Sequence, residues 1–116
     1  MGDYLRSQKT SLKYRNFKRK LSKDHGCPLC QLNSIKNFSF WKIVKNDFPY
    51  DKVATNHDML MPIRCTTEEN LTAEEKLELE MIKSTTAQSY DLLAESTLKT
   101  MSVASHYHIH LLDIRD

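Results

Sequence analysis

Ser105-His106-Tyr107-His108-Ile109-His110-Leu111-Leu112 is the stretch whose reading decides the fold. Side chains alternate across a β-strand, so His106, His108 and His110 share one face and Tyr107, Ile109 and Leu111 the other. The apolar face is the natural core face. Incidental histidines on a solvated strand would not hold so strict an alternation. Imidazoles on one face suit two chemistries. They can ligate a metal ion, or one neutral imidazole can attack phosphorus while a neighbour polarises the phosphate oxygens. The three residues can divide these tasks.

Working outward, the segment 101–114 reads as the last strand, preceded by a long helix. Thr72-Ala73-Glu74-Glu75 has capping-box spacing. From it the apolar positions Leu79, Ile82, Thr86, Tyr90 and Leu93 predict a helix to about Leu98, with Glu74, Glu75, Glu78 and Glu80 near its positive end. Upstream, residues 38–45 (Phe-Ser-Phe-Trp-Lys-Ile-Val-Lys) read as a single strand. Asn46-Asp47-Phe48-Pro49-Tyr50-Asp51 is a turn by composition. His57 to Ile63 is a second strand, with Pro62 near its end. At the start, Tyr14, Phe17 and Leu21 recur at helical spacing, with Leu5 and Leu12 extending the stripe, and Gly26 is a C-cap. The order helix, strand, strand, helix, strand is α+β with a mainly antiparallel sheet. It divides into a basic N-terminal helix, 1–25, and a compact domain, 26–116.

The chain has 116 residues, 40% hydrophobic and 28% charged, an ordinary globular composition for one small domain. No apolar run is long enough for a membrane span. The first residues lack an apolar signal core, so the expected location is cytoplasmic and no membrane partner is expected. The net charge is +2. Residues 1–25 hold eight basic and two acidic residues (+6), and the rest nine basic and thirteen acidic (−4). Such a segment, with Lys18, Arg19 and Lys20 at its end, is either a solvated helix face or a surface for nucleic acid.

Three cysteines, Cys27, Cys30 and Cys65, argue against a disulfide framework. A Cys-x-x-Cys just past a helix is half a zinc site or a redox pair, and no thioredoxin-like βαβ context supports the redox reading.

The run His106-Tyr107-His108-Ile109-His110-Leu111-Leu112 resembles the motif of the histidine-triad superfamily, His-φ-His-φ-His-φ-φ with φ apolar. Asn46-Asp47-Phe48-Pro49-Tyr50 is similar to its Asn-x-x-Pro-Tyr turn, and His57-Asp58-Met59-Leu60-Met61-Pro62 to its His-x-Leu-Val-x-Pro strand. The resemblance spans about residues 27–112. It implies a histidine-triad-like antiparallel sheet with a long helix. It also implies a nucleotidyl hydrolase or transferase acting on a nucleoside-phosphate anhydride, ester or phosphoramidate, with a purine nucleotide as substrate. In it His108 is the nucleophile that forms a nucleotidyl-histidine, His110 hydrogen-bonds phosphate oxygens, His57 supports the site and Asn46 contacts the ribose. Family members commonly pair as homodimers. The alternative is a non-catalytic nucleotide-binding or regulatory protein of the same fold.

One branch of the superfamily holds a structural zinc ion. The resemblance places its ligands at Cys27, Cys30, Cys65 and His106, with Cys65 where the branch usually has histidine. The alternative is three unrelated thiols. A second departure is Val103, which stands where most members carry a serine five residues before the nucleophile. Ser102 and Ser105 flank it and are the candidate phosphate-binding hydroxyls.

Overall fold

The computed structural model describes residues 5–20, 27–86, 88–96 and 105–115. Of residues 18–20 it describes the backbone alone, so the side chains of Lys18, Arg19 and Lys20 lie outside it, as do Leu21, Gly26, Leu98, Ser102 and Val103. The described residues are α+β. Helix α1 (Gln8–Lys20) is followed by a 3₁₀ turn (Pro28–Gln31) and strands β1 (Ser34–Asn37), β2 (Trp41–Lys45) and β3 (Ala54–Pro62). A second 3₁₀ turn (Glu68–Asn70), helix α2 (Ala73–Thr86) and strands β4 (Leu92–Ala94) and β5 (Ile109–Ile114) complete the order. The five strands form one sheet in the order β1-β2-β3-β5-β4, and every neighbouring pair is antiparallel.

Besides the start of β3, which lies at Ala54 and not at His57, three boundaries differ from the sequence reading. The expected strand 38–45 is the second arm of a hairpin. Ser34–Asn37 forms the first arm, and the chain turns at Phe38-Ser39-Phe40, where Phe38 N–H donates to the Trp41 carbonyl at 2.7 Å. The four residues of β1 are mostly exposed, so they lack the apolar alternation that reveals a strand. The long helix stops at Thr86, and Leu92–Ala94 leaves it to pair with β5 at the sheet edge. Tyr90 and Leu93 do pack against the core, but from a loop and a strand. Third, the described part of the last strand begins at Ile109, so His106 and His108 precede the ladder.

The capping box forms as read. Thr72 Oγ1 accepts the Glu75 N–H at 3.1 Å, and Glu75 Oε1 accepts the Thr72 N–H at 2.8 Å. Glu75 also takes a 2.8 Å ion pair from Arg64. Hydrogen bonding from Arg64, opposed by burial, holds the Glu75 carboxyl below its usual range. Helix α2 lays Leu79 and Ile82 on one face of the sheet, against Trp41, Ile43, Leu60, Tyr107, Ile109 and Leu111. The Trp41 Nε1–H reaches the Glu75 carbonyl at 2.8 Å. Tyr107, Ile109 and Leu111 therefore occupy the core face that alternation assigned to them. The opposite face carries Val44, Met59 and Met61 under Leu29, and the histidines.

Helix α1 is tied to the turn before β3. Ser7 caps it, its Oγ accepting the Thr10 N–H at 3.2 Å. Asp51 accepts hydrogen bonds from Ser7 N–H (2.6 Å), Ser7 Oγ (2.9 Å) and Thr10 Oγ1 (2.6 Å). Tyr14 and Phe17 each lie 5.1 Å from the Phe48 ring. Leu12 faces solvent, so it does not extend the apolar stripe.

Candidate metal and histidine site

Four side chains from distant parts of the sequence converge beside the sheet. Cys27 and Cys30 flank Pro28-Leu29 in the first 3₁₀ turn, Cys65 follows the end of β3, and His106 enters β5. Their ligand atoms all lie within 4.8 Å of one another and could hold a metal ion. The Sγ atoms of Cys27 and Cys30 are each 3.4 Å from His106 Nδ1. A tetrahedral site with ordinary Zn–S and Zn–N bonds would set that edge at about 3.6 Å, so the donor set fits. The orientation of His106 fits as well. Its Nε2 lies 2.8 Å from the Pro62 carbonyl oxygen. A carbonyl only accepts, so Nε2 carries the proton and the Nδ1 lone pair faces the thiols, the usual outer support of a ligating imidazole.

Partial loss of water around the sulfur, with hydrogen bonds that the thiol donates to Cys65 and Cys27, pushes Cys30 up to about 12, although the residue as a whole is exposed. Burial leads in raising Cys65 too. Cys30 and Cys65 thus resist ionisation, and a cation held among the ligand atoms reverses that preference.

The other described histidines, His57, His108 and His110, are not part of this cluster. Met59 pairs with His110 and His57 with Leu112 across β3 and β5, so His57 and His110 fall on one face. Here too the proton positions follow from groups that can only donate or only accept. The Tyr50 backbone N–H donates to His57 Nδ1 at 3.0 Å. His57 must then carry its proton on Nε2, which donates to His110 Nδ1 at 2.8 Å. His110 in turn carries its proton on Nε2, 3.4 Å from the Tyr50 hydroxyl. His108 Nδ1 lies 2.9 Å from the His106 carbonyl oxygen, so Nδ1–H donates there and the lone pair is on Nε2. The His108 ring stands edge-on to His110 with centroids 5.1 Å apart.

Burial, followed by the charge of Arg6, lowers His57 to about 3. Burial, then the neighbouring imidazoles and Arg6, lowers His110 to about 3. Burial lowers His108, partly opposed by its bond to the His106 carbonyl. All three rings are neutral at pH 7.

The structure gives Asn46 a turn-building role. Its Oδ1 accepts the Phe48 N–H at 2.8 Å, and its amide lies against the His57 ring. Ser105 is exposed, with its carbonyl 3.9 Å from Cys65 Sγ. Ser102 lies outside the described residues. Sequence reasoning missed two participants. Tyr50, quoted only as the end of a turn motif, contacts His57 through its backbone and His110 through its hydroxyl. Arg6 lies in no motif at all. His108 is 5% exposed, less open than a nucleophile's role suggests, because His110 and the His106 backbone close around it.

Comparison with protein-family models and with curated protein sequences finds no match for this chain. Among the described residues, no helix is long and apolar enough to cross a membrane.

Proposed function

We propose that this protein is a zinc-containing nucleotidyl hydrolase or transferase of the histidine-triad type. The observation that carries the reading is the division of tasks among His106, His108 and His110. His106 turns its free nitrogen to the thiols, His108 keeps a free lone pair on Nε2, and His110 keeps a proton on Nε2. A neutral imidazole with one nitrogen tied to a carbonyl is a nucleophile needing no added base. His108 Nε2 attacks the α-phosphorus, forming a P–N bond as the P–O or P–N bond to the leaving group breaks. His110 donates to a non-bridging oxygen as charge develops there. Water or another acceptor then displaces His108, restoring the free imidazole and releasing the nucleotide. His57 fixes the donated proton on His110 Nε2, and the phosphate oxygen takes the place of the Tyr50 hydroxyl as its acceptor.

The metal in this reading is zinc. It supplies structural cross-linking, held by Cys27, Cys30, Cys65 and His106, because four protein ligands leave no open position. Three thiolate ligands suit a reducing compartment such as the cytoplasm.

The test is a substrate panel of dinucleoside polyphosphates, an adenosine phosphoramidate, sugar nucleotides and a 5′-adenylated oligonucleotide. A productive member should leave an acid-labile nucleotide on His108, and His108→Asn should abolish both adduct and turnover. Turnover that survives His108→Asn refutes the mechanism. The low exposure of His108 favours one other reading, a nucleotide-binding protein without turnover. That protein would raise its melting temperature with AMP or GMP and release no product.

A further inference from the structure

Arg6 is one of eight basic residues in the N-terminal segment, yet it is only 5% exposed. A buried guanidinium is costly unless hydrogen bonds and opposite charge replace its water. Arg6 Nε–H donates to the Phe48 carbonyl at 2.7 Å. Its charged carbon lies 4.3 Å from the centre of the Tyr14 ring and 4.9 Å from that of Tyr50. Two aromatic faces and one carbonyl replace part of the lost hydration. They do not match the charge. Among the described residues the ion pairs are Arg64–Glu75 and Lys83–Glu80, and neither involves Arg6.

The position of Arg6 is built. On one side of it the Leu5 carbonyl accepts the Lys52 N–H at 2.9 Å, and on the other Ser7 is bound to the Asp51 carboxylate. The segment is thus strapped to the turn that carries Tyr50. Tyr50 links it to the imidazoles, its ring 4.5 Å from His57 and 5.0 Å from His110. The charge of Arg6 acts on both, adding to burial in keeping them neutral. Neutral histidines offer an anion hydrogen bonds but no charge.

We propose that Arg6 is the fixed cation of the histidine site, a positioning residue that attracts the phosphate group of the ligand to the layer formed by Tyr50, His57 and His110. The inference rests on the phosphate chemistry proposed above and adds to it the residue that sets anion affinity. One unit charge acting over about 10 Å at an effective dielectric of about 20 changes anion affinity roughly tenfold.

The experiment is calorimetric titration of the whole chain with AMP, inorganic phosphate and adenosine, for wild type, Arg6→Gln and Arg6→Lys. Arg6→Gln should weaken AMP and phosphate roughly tenfold and leave adenosine unchanged, and Arg6→Lys should recover most of the loss. With a turned-over substrate, KM should rise and kcat should hold. A wild-type measurement stands beside the variants: the Arg6 Nε–H resonance should shift on adding AMP and stay in place with adenosine. An unmoved resonance overturns the proposal, as does wild-type affinity for AMP in Arg6→Gln, equal weakening of AMP and adenosine, or a wild type that binds neither anion. Charge-dependent AMP binding without turnover would uphold Arg6 and overturn the hydrolase.

Discussion

His57, His106 and His108 each have one nitrogen assigned by a backbone group that can only donate or only accept, and His57 in turn assigns His110. The tautomers follow without reference to a ligand. His110 is expected to matter through its Nε2 proton. His110→Ala should lower turnover by about 10²–10³, the usual cost of one donor to a developing oxyanion, with steady-state kinetics on the best substrate as the readout. The same burial makes the fold acid-sensitive. His57 and His110 titrate near 3 in the folded chain and near 6.5 when unfolded. Between those values the unfolded state binds more protons, so stability is full above about pH 6.5 and falls as pH drops toward 3. Urea midpoints at pH 7.5 and 5.5, with zinc present, should show the fall, and His57→Gln should shrink the difference. Equal midpoints for the wild type would mean the rings are not buried neutral.

Helix α2 has the clearest local signals, and they succeed at its start and fail at its end. Thr72 and Glu75 satisfy each other's backbone N–H groups, so Thr72→Ala should cost about 1 kcal/mol by chemical denaturation. Glu75→Ala should cost more, because it removes both the bond to the Thr72 N–H and the ion pair with Arg64. The far end departs from the periodicity because Tyr90 and Leu93 continue a helical spacing while belonging to a loop and an edge strand. Periodicity records which residues face a core and does not record by what backbone path they reach it. Pairing with β5 settles β4, and that pairing is remote in sequence. The hairpin arm β1 was hidden for a related reason: an edge strand exposed on both faces shows no alternation.

Over the whole molecule, the Cys/His cluster joins the start of the compact region, the end of β3 and the entry to β5. Each lies outside the regular ladder: a 3₁₀ turn, a bend and an irregular segment. Removing the metal with a chelator should therefore lower the melting midpoint by roughly 10 °C or more, and readdition of zinc should restore it. Elemental analysis should find one ion per chain. A metal-free protein with unchanged melting would show that the thiols are bystanders. The His106 carbonyl also holds the His108 proton, so metal loss should reduce turnover before the sheet melts.

Alternation alone placed Tyr107, Ile109 and Leu111 in the core and three imidazoles on the opposite side, because the period of a strand is a local property of the backbone. The capping box and the α+β order were legible for the same reason. What only the tertiary structure decided is everything that depends on distant segments meeting. The convergence of Cys65 on Cys27, Cys30 and His106 is one such outcome. The Tyr50–His57–His110 proton chain is another, and so is the burial of Arg6 against two tyrosines. Ring orientation and proton position are set by the single neighbour that a side chain meets in space, and no periodicity in the chain encodes that neighbour.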